Sequence, residues 1–187
     1  MTTRTGSRPR FSAPAAPVLA RTYAAALLTH LPLLGILLLP WGRSRYAGGS
    51  EALMGLVTLA LTAAVVTAVV YAPALCARVA PAPPDWLPGR ARRSVAQFRR
   101  RDRRAYLLVL GELVVLYVTA QCLGGLAGVV RPYVRDNPAP VVDAGGHPWD
   151  FHHGNFALQA VVLYLGICFA TTWYACRLRG RVTGTHA

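Results

Sequence analysis

The sequence predicts an all-α membrane protein, a bundle of four transmembrane helices with both termini cytoplasmic. Three observations predict it. Hydrophobic residues make up 54% of the chain and charged residues only 14%, where soluble domains carry about 25% charge. Nearly all of the charge lies between four apolar blocks, each long enough to cross a hydrocarbon core of about 30 Å at a helical rise of about 1.5 Å per residue. The third observation is the arginine bias. With both termini inside, the cytoplasmic segments hold four, nine and three of the twenty arginines, and the outer loops hold Arg43, Arg45, Arg131 and Arg135. Such an asymmetry orients membrane helices.

Residues 1–20 carry Arg4, Arg8 and Arg10 among Pro, Ser, Thr and Ala and read as a disordered cytoplasmic tail. A single membrane domain is expected over 21–178, with a second cytoplasmic tail at 179–187. Its first span covers about 22–41 and is interrupted by Pro32, with His30 just before it. That apolar run ends without a small-x-small cleavage site, so it reads as a retained helix rather than a signal peptide. The second span, about 52–72, has no charge; Gly55, Thr58 and Thr62 recur along one face, a stripe suited to helix contact.

The chain is organised around the basic cytoplasmic loop 74–104, where nine arginines stand against Asp85 and Asp102. Ala80 to Pro84 should run as polyproline-like chain, with Trp86 and Leu87 dipping into the membrane interface. Residues 92–104 should form a short basic helix on anionic headgroups. The third span, about 105–130, holds the lone intramembrane acid Glu112, and Gly124 and Gly128 form a small-xxx-small pair. An outer loop follows at 131–155. The fourth span, about 156–176, is trailed by Arg177, Arg179 and Arg181.

Three places could carry chemistry. In the first, His30 and Glu112 lie at similar depth, within a polar layer that includes Thr67, Cys168 and Thr171. A carboxylate in hydrocarbon must face the bundle and be neutral or paired, and His30 is the expected partner. The pair either holds two helices in register or moves a proton or cationic ligand; both readings stay open. In the second place, the outer run His147, Asp150, His152 and His153 offers ligand types that suit Zn²⁺ or Cu²⁺, although the spacing matches no metal family. The plain alternative is a solvated loop in which Asp150 or Asn155 caps the fourth helix. The third place is the cluster Arg92, Arg93, Arg99, Arg100, Arg101, Arg103 and Arg104, expected to contact anionic lipid or an acidic partner.

Cys76, Cys122, Cys168 and Cys176 show no CxxC, which argues against a thiol-disulfide exchange site. Hydrolase, metalloprotease, P-loop and dinucleotide signatures are lacking. The formal charge of +13 is divided among loops flanking apolar helices, so no nucleic-acid partner is expected. Arginine without lysine, alongside much Ala, Gly and Pro, suggests a GC-rich bacterium and its inner (plasma) membrane, crossed in multi-pass fashion. The leading functional expectation is an accessory or regulatory membrane subunit, partnered by lipid and by another membrane protein or itself, with no cofactor. The alternatives are a small proton- or metal-coupled carrier using His30 and Glu112, and a membrane enzyme with an outer-face His/Asp site.

Overall fold

The computed structural model describes residues 13–137 and 149–184. The chain is mostly helical: α1 (Ala16–Thr29), α2 (Leu31–Leu37), α3 (Glu51–Val79), α4 (Ala91–Arg101), α5 (Arg103–Val130) and α6 (His153–Thr183), with a two-stranded antiparallel hairpin of β1 (Val134–Asp136) and β2 (Trp149–Phe151) before α6. Three helices, α3, α5 and α6, are long and apolar enough to cross a membrane, and a fourth candidate span arises if α1 and α2 are taken together.

Local chemistry explains the boundaries. Pro32 has no N–H to continue the ladder and its ring crowds the preceding turn. α1 therefore ends at Thr29, and α2 leaves at 56° to it. Even so, the pair runs the length of the molecule. Val18 and Leu19 of α1 pack into the core at the α4 end, while Arg43, just past α2, lies 5.1 Å over the Phe156 ring at the hairpin end. The Ser50 hydroxyl accepts from the Leu53 N–H and caps α3, and Glu51 in its first turn suits the helix dipole. Asp102 caps α5 by accepting from the Ala105 N–H at 2.9 Å. Gly184, at φ +68°, closes α6 in the left-handed conformation that glycine adopts without strain.

α6 is the hub. Half of its apolar stretch is buried, against 11% in α3 and 17% in α5. α5, α3 and the α1–α2 pair pack around it, while α3 and α5 are not packed on each other along their length. The closest approach is at the α5–α6 seam, where Gly124 faces Leu163 and Gly166 faces Ala120. The anticipated Gly124–Gly128 pair does lie on this seam, since Gly128 faces Gln159; Gly166, its counterpart on α6, was not anticipated. The Thr58–Thr62 stripe, expected to make helix contact, instead lines a cleft.

The basic end departs most from expectation. α3 continues past Pro73 for more than a turn, because its last residues enter the core: Cys76 and Ala77 are fully buried. The Ala80–Pro84 stretch does not remain extended. Ala82 and Trp86 exchange two backbone hydrogen bonds of 2.9 Å, and the resulting turn drives Trp86 into the core, where it is wholly buried among Cys76, Ala91, Val109 and Leu178. α4 is shorter than the expected basic helix, because Asp102 interrupts it; Arg103 and Arg104 belong to the first turn of α5. α4 lays Ala91, Val95 and Phe98 against the core, at the i, i+4, i+7 spacing of one helical face. α6 likewise runs beyond the expected end at Cys176 and carries Arg177, Arg179 and Arg181 as helical residues.

The seam yields a prediction. A Cβ at Gly166 would come within 2.4 Å of the Ala120 Cβ, whereas one at Gly111 meets open space. Gly166→Ala should lower unfolding stability in detergent micelles by about 1–3 kcal/mol through overpacking. Gly111→Ala should leave it unchanged or slightly raised. Equal behaviour of the two variants would refute this packing.

Candidate functional site: the polar groups along the bundle

Glu112, the one acid in the interior of a long apolar helix among the described residues, is paired, but with arginine. Glu112 on α5 faces α6, where Arg177 and Trp173 stand four residues apart on one face. The Arg177 Nη2 donates to Glu112 Oε1 at 2.7 Å and its Nε to Oε2 at 2.8 Å, while Trp173 Nε1 donates to Oε2 at 2.9 Å. This two-pronged geometry is the strong form of a guanidinium–carboxylate contact. Arg177 is buried at 5% exposure and Glu112 is partly buried at 22%. Three donors thus satisfy one carboxylate where water is scarce.

The expected His30–Glu112 pair does not form. His30, at the α1–α2 break, places Nδ1 2.6 Å from the Ala26 carbonyl and 3.3 Å from the Thr29 hydroxyl. A carbonyl can only accept, so Nδ1 donates to it. The remaining polar-layer residues do gather near His30. Cys168 Sγ is 4.0 Å from the same Ala26 carbonyl. Thr171 and Thr172 meet His30 along a narrow seam that also holds Thr22, and the buried Thr172 hydroxyl has no hydrogen-bond partner among the described residues. Thr67 lies across a groove from His30, on α3. Glu112 stands apart from this group.

At the hairpin end, His147 falls outside the described residues. Asp150 is exposed on β2 opposite Arg135. His152 and His153 are exposed, and the His153 ring packs 4.8 Å from the Phe151 ring. Among the described residues no three His, Cys, Asp or Glu side chains converge as metal ligands would. Neither Asp150 nor Asn155 caps α6: its N-cap is His152, without a side-chain bond, and Asn155 donates to the Pro132 carbonyl at 2.9 Å. Trp149 Nε1 donates to the Tyr46 carbonyl at 3.1 Å, tying the hairpin to the α2–α3 connection. Arg43 in that connection donates to the Leu37 carbonyl at 2.9 Å, closing the end of α2. Burial lowers its pKa from the ordinary arginine value, opposed by Tyr133, yet a guanidinium stays cationic throughout the physiological range.

At the other end, Arg92, Arg93, Arg99, Arg100, Arg101, Arg103 and Arg104 are all exposed, and none makes an ion pair among the described residues. Arg92 stacks 4.2 Å over the Tyr71 ring. The backbone beneath is fixed: Arg179 Nε donates to the Ala80 carbonyl at 3.0 Å and Ser94 Oγ to the Asp85 carbonyl at 2.8 Å, beside the buried Trp86. The exposed cations thus stand on a backbone tied to the core.

The residues missed from sequence are Arg177, Trp173 and Trp86. Arg177 and Trp173 left a readable signal, a pair of donors at i and i+4 on the span antiparallel to the one holding the lone acid. The burial of Trp86 left none, because it depends on core residues far away in the sequence, Val109 and Leu178.

Fold and site together define a helical protein with three or four helices long and apolar enough to cross a membrane, an internal arginine–carboxylate pair and one cationic end. No family of known proteins matches the sequence, and neither a curated protein nor a solved structure does.

The ion pair is open to direct test. Arg177→Leu should cost about 3 kcal/mol, because it strands the carboxylate, and Glu112→Leu a comparable amount, whereas the double replacement should recover most of the loss. Unfolding of the three variants in micelles measures this. Losses that simply add would mean that the two groups do not act on each other.

Proposed function

We propose that the chain is a multi-pass protein of a bacterial plasma membrane, crossing it four times with both termini cytoplasmic, and that it serves as an accessory or regulatory subunit rather than an enzyme. The broken α1–α2 pair is the first crossing. It supports this reading that the pair reaches from the α4 end to the hairpin end, and that seven exposed arginines without ion pairs lie at the α4 end, as the cytoplasmic side demands.

The observation that carries the functional reading is the rigidity of that cationic end. Trp86, wholly buried, fixes the connection between α3 and α4, and the arginines of α4 project from a helix whose other face is in the core. Pre-ordered cations bind an acidic partner with less loss of side-chain and loop freedom than cations on a mobile loop. A second feature agrees. Between α3 and α5 lies a cleft of about 390 Å³ floored by Leu163 and Ile167 of α6, and both flanking helices present apolar side chains outward, including Val66, Val70, Val118 and Leu123. A transmembrane helix of a partner would cover that surface by side-chain packing. A proton-coupled carrier built on His30 and Glu112 would need a contact that the two side chains do not make, and no observation favours it or an enzyme at the outer histidines.

The test is cross-linking in cells from a photoreactive side chain at Gln97 of α4, exposed beside the arginines. Adducts to one discrete membrane partner are expected, and they should fall severalfold when Arg99, Arg100, Arg101, Arg103 and Arg104 become Gln, with the protein's abundance in the membrane unchanged. A solitary monomer at native abundance, or adducts indifferent to the arginines, would contradict the proposal.

A further inference from the structure

The α1–α2 break opens a lateral groove of about 480 Å³ against α3, within the range of about 300–1,000 Å³ typical of ligand sites. Its shape is written in the sequence. Pro32 turns α2 away from the path of α1, and Ala63, Ala64, Ala68 and Ala74 supply an α3 face with little side-chain volume. From Ala63 to Arg78 the groove follows α3 for about 22 Å at the helical rise. That is the reach of a long hydrocarbon chain, and the walls are mostly apolar.

The polar groups are few and unequally placed. Part-way along are His30, whose Nε2 makes no hydrogen bond among the described residues, and Thr67. The Thr67 hydroxyl makes no hydrogen bond among the described residues, unlike Thr58, Thr62 and Thr119, which donate to the carbonyl four residues back. Towards the basic end stand Arg78, exposed and without an ion pair among the described residues, and Tyr71, whose ring carries Arg92. No carboxylate lines the groove. One end is therefore cationic, and the remainder is apolar with two small polar points.

We infer that this groove binds an anionic phospholipid, one acyl chain lying along α3 past His30 and the phosphate resting on Arg78 and Arg92. The inference rests on the reading of the chain as a bilayer protein, but not on its having a protein partner. Charge complementarity selects the occupant. A zwitterionic lipid would fill the same apolar walls without the net attraction to two guanidiniums, each of which favours anionic lipid near a membrane surface. The site differs from the arginine surface of α4, because it needs the cavity as well as the charge.

The experiment uses the full chain in nanodiscs with phosphatidylglycerol and phosphatidylcholine analogues that carry a photoreactive group on one acyl chain. In the wild-type protein, adducts should concentrate on 63–78 and 29–33, with the anionic analogue preferred by about fivefold or more. Arg78→Gln with Arg92→Gln should abolish the preference while chain adducts persist. Ala63→Phe should deplete groove adducts of both lipids and leave those on the outer face of α5. Wild-type adducts spread evenly over the apolar faces of α3 and α5, or equal labelling by the two lipids, would overturn the proposal. Those two wild-type readings decide the matter even where a variant fails to fold. Loss of partner cross-links with groove labelling intact would refute the subunit reading alone.

Discussion

Hydrocarbon cannot hold an uncompensated charge, and that constraint organises this molecule. The one carboxylate placed inside an apolar helix must be neutral, paired or turned outward. Here it is paired, and the pairing requires α6 to stay helical past the end of its apolar stretch, so that Arg177 reaches Glu112 across the α5–α6 seam. The contact ties two long antiparallel helices together at one end of their seam. Glycines at 124 and 166 then let the same two helices close together. Arg92, Arg93, Arg99, Arg100, Arg101, Arg103 and Arg104 obey the constraint in the other way, by collecting at one end of the bundle and staying exposed.

From that arrangement follow the two surfaces on which function can rest. Because α6 is the hub and α3 and α5 do not meet along their length, the bundle is open on the α3–α5 side. Because Pro32 bends the first helical pair, it is also open on the α1–α3 side. A symmetric four-cornered bundle would have neither opening. The backbone of the cationic end is held from beneath by the buried Trp86 and by the Arg179 contact to the Ala80 carbonyl. The bundle thus presents one cationic end and two lateral openings.

Much of this was legible in the residues. Apolar block lengths foretold α3, α5 and α6 to within a few residues at most ends, and Pro32 foretold the break in the first pair. The Gly124–Gly128 spacing pointed to the α5–α6 seam. What failed did so for a shared reason, namely the assumption that a helix stops where its apolar character stops. Pro73 and Arg177 both looked like ends. Pro73 instead costs one hydrogen bond within a helix that gains the burial of Cys76 and Ala77, and Arg177 is drawn inward by Glu112. With Arg177 placed just beyond the end of the fourth span, His30 was left as the apparent partner of Glu112. The burial of Trp86 is a tertiary event, invisible to local pattern, since proline-rich sequence around it gives no hint of the core it enters.

In the proposed topology charge sorts the chain across the bilayer, with the α4 end inside and the hairpin end outside. Single cysteines at Arg45, Gln97, Asp136 and Thr183, in a background without Cys122, tested with a membrane-impermeant thiol reagent on intact cells, address it most directly. The account predicts labelling at Arg45→Cys and Asp136→Cys from outside, and labelling at Gln97→Cys and Thr183→Cys only once the membrane is opened. Labelling of Gln97→Cys in intact cells, or protection of Arg45→Cys there, would contradict it.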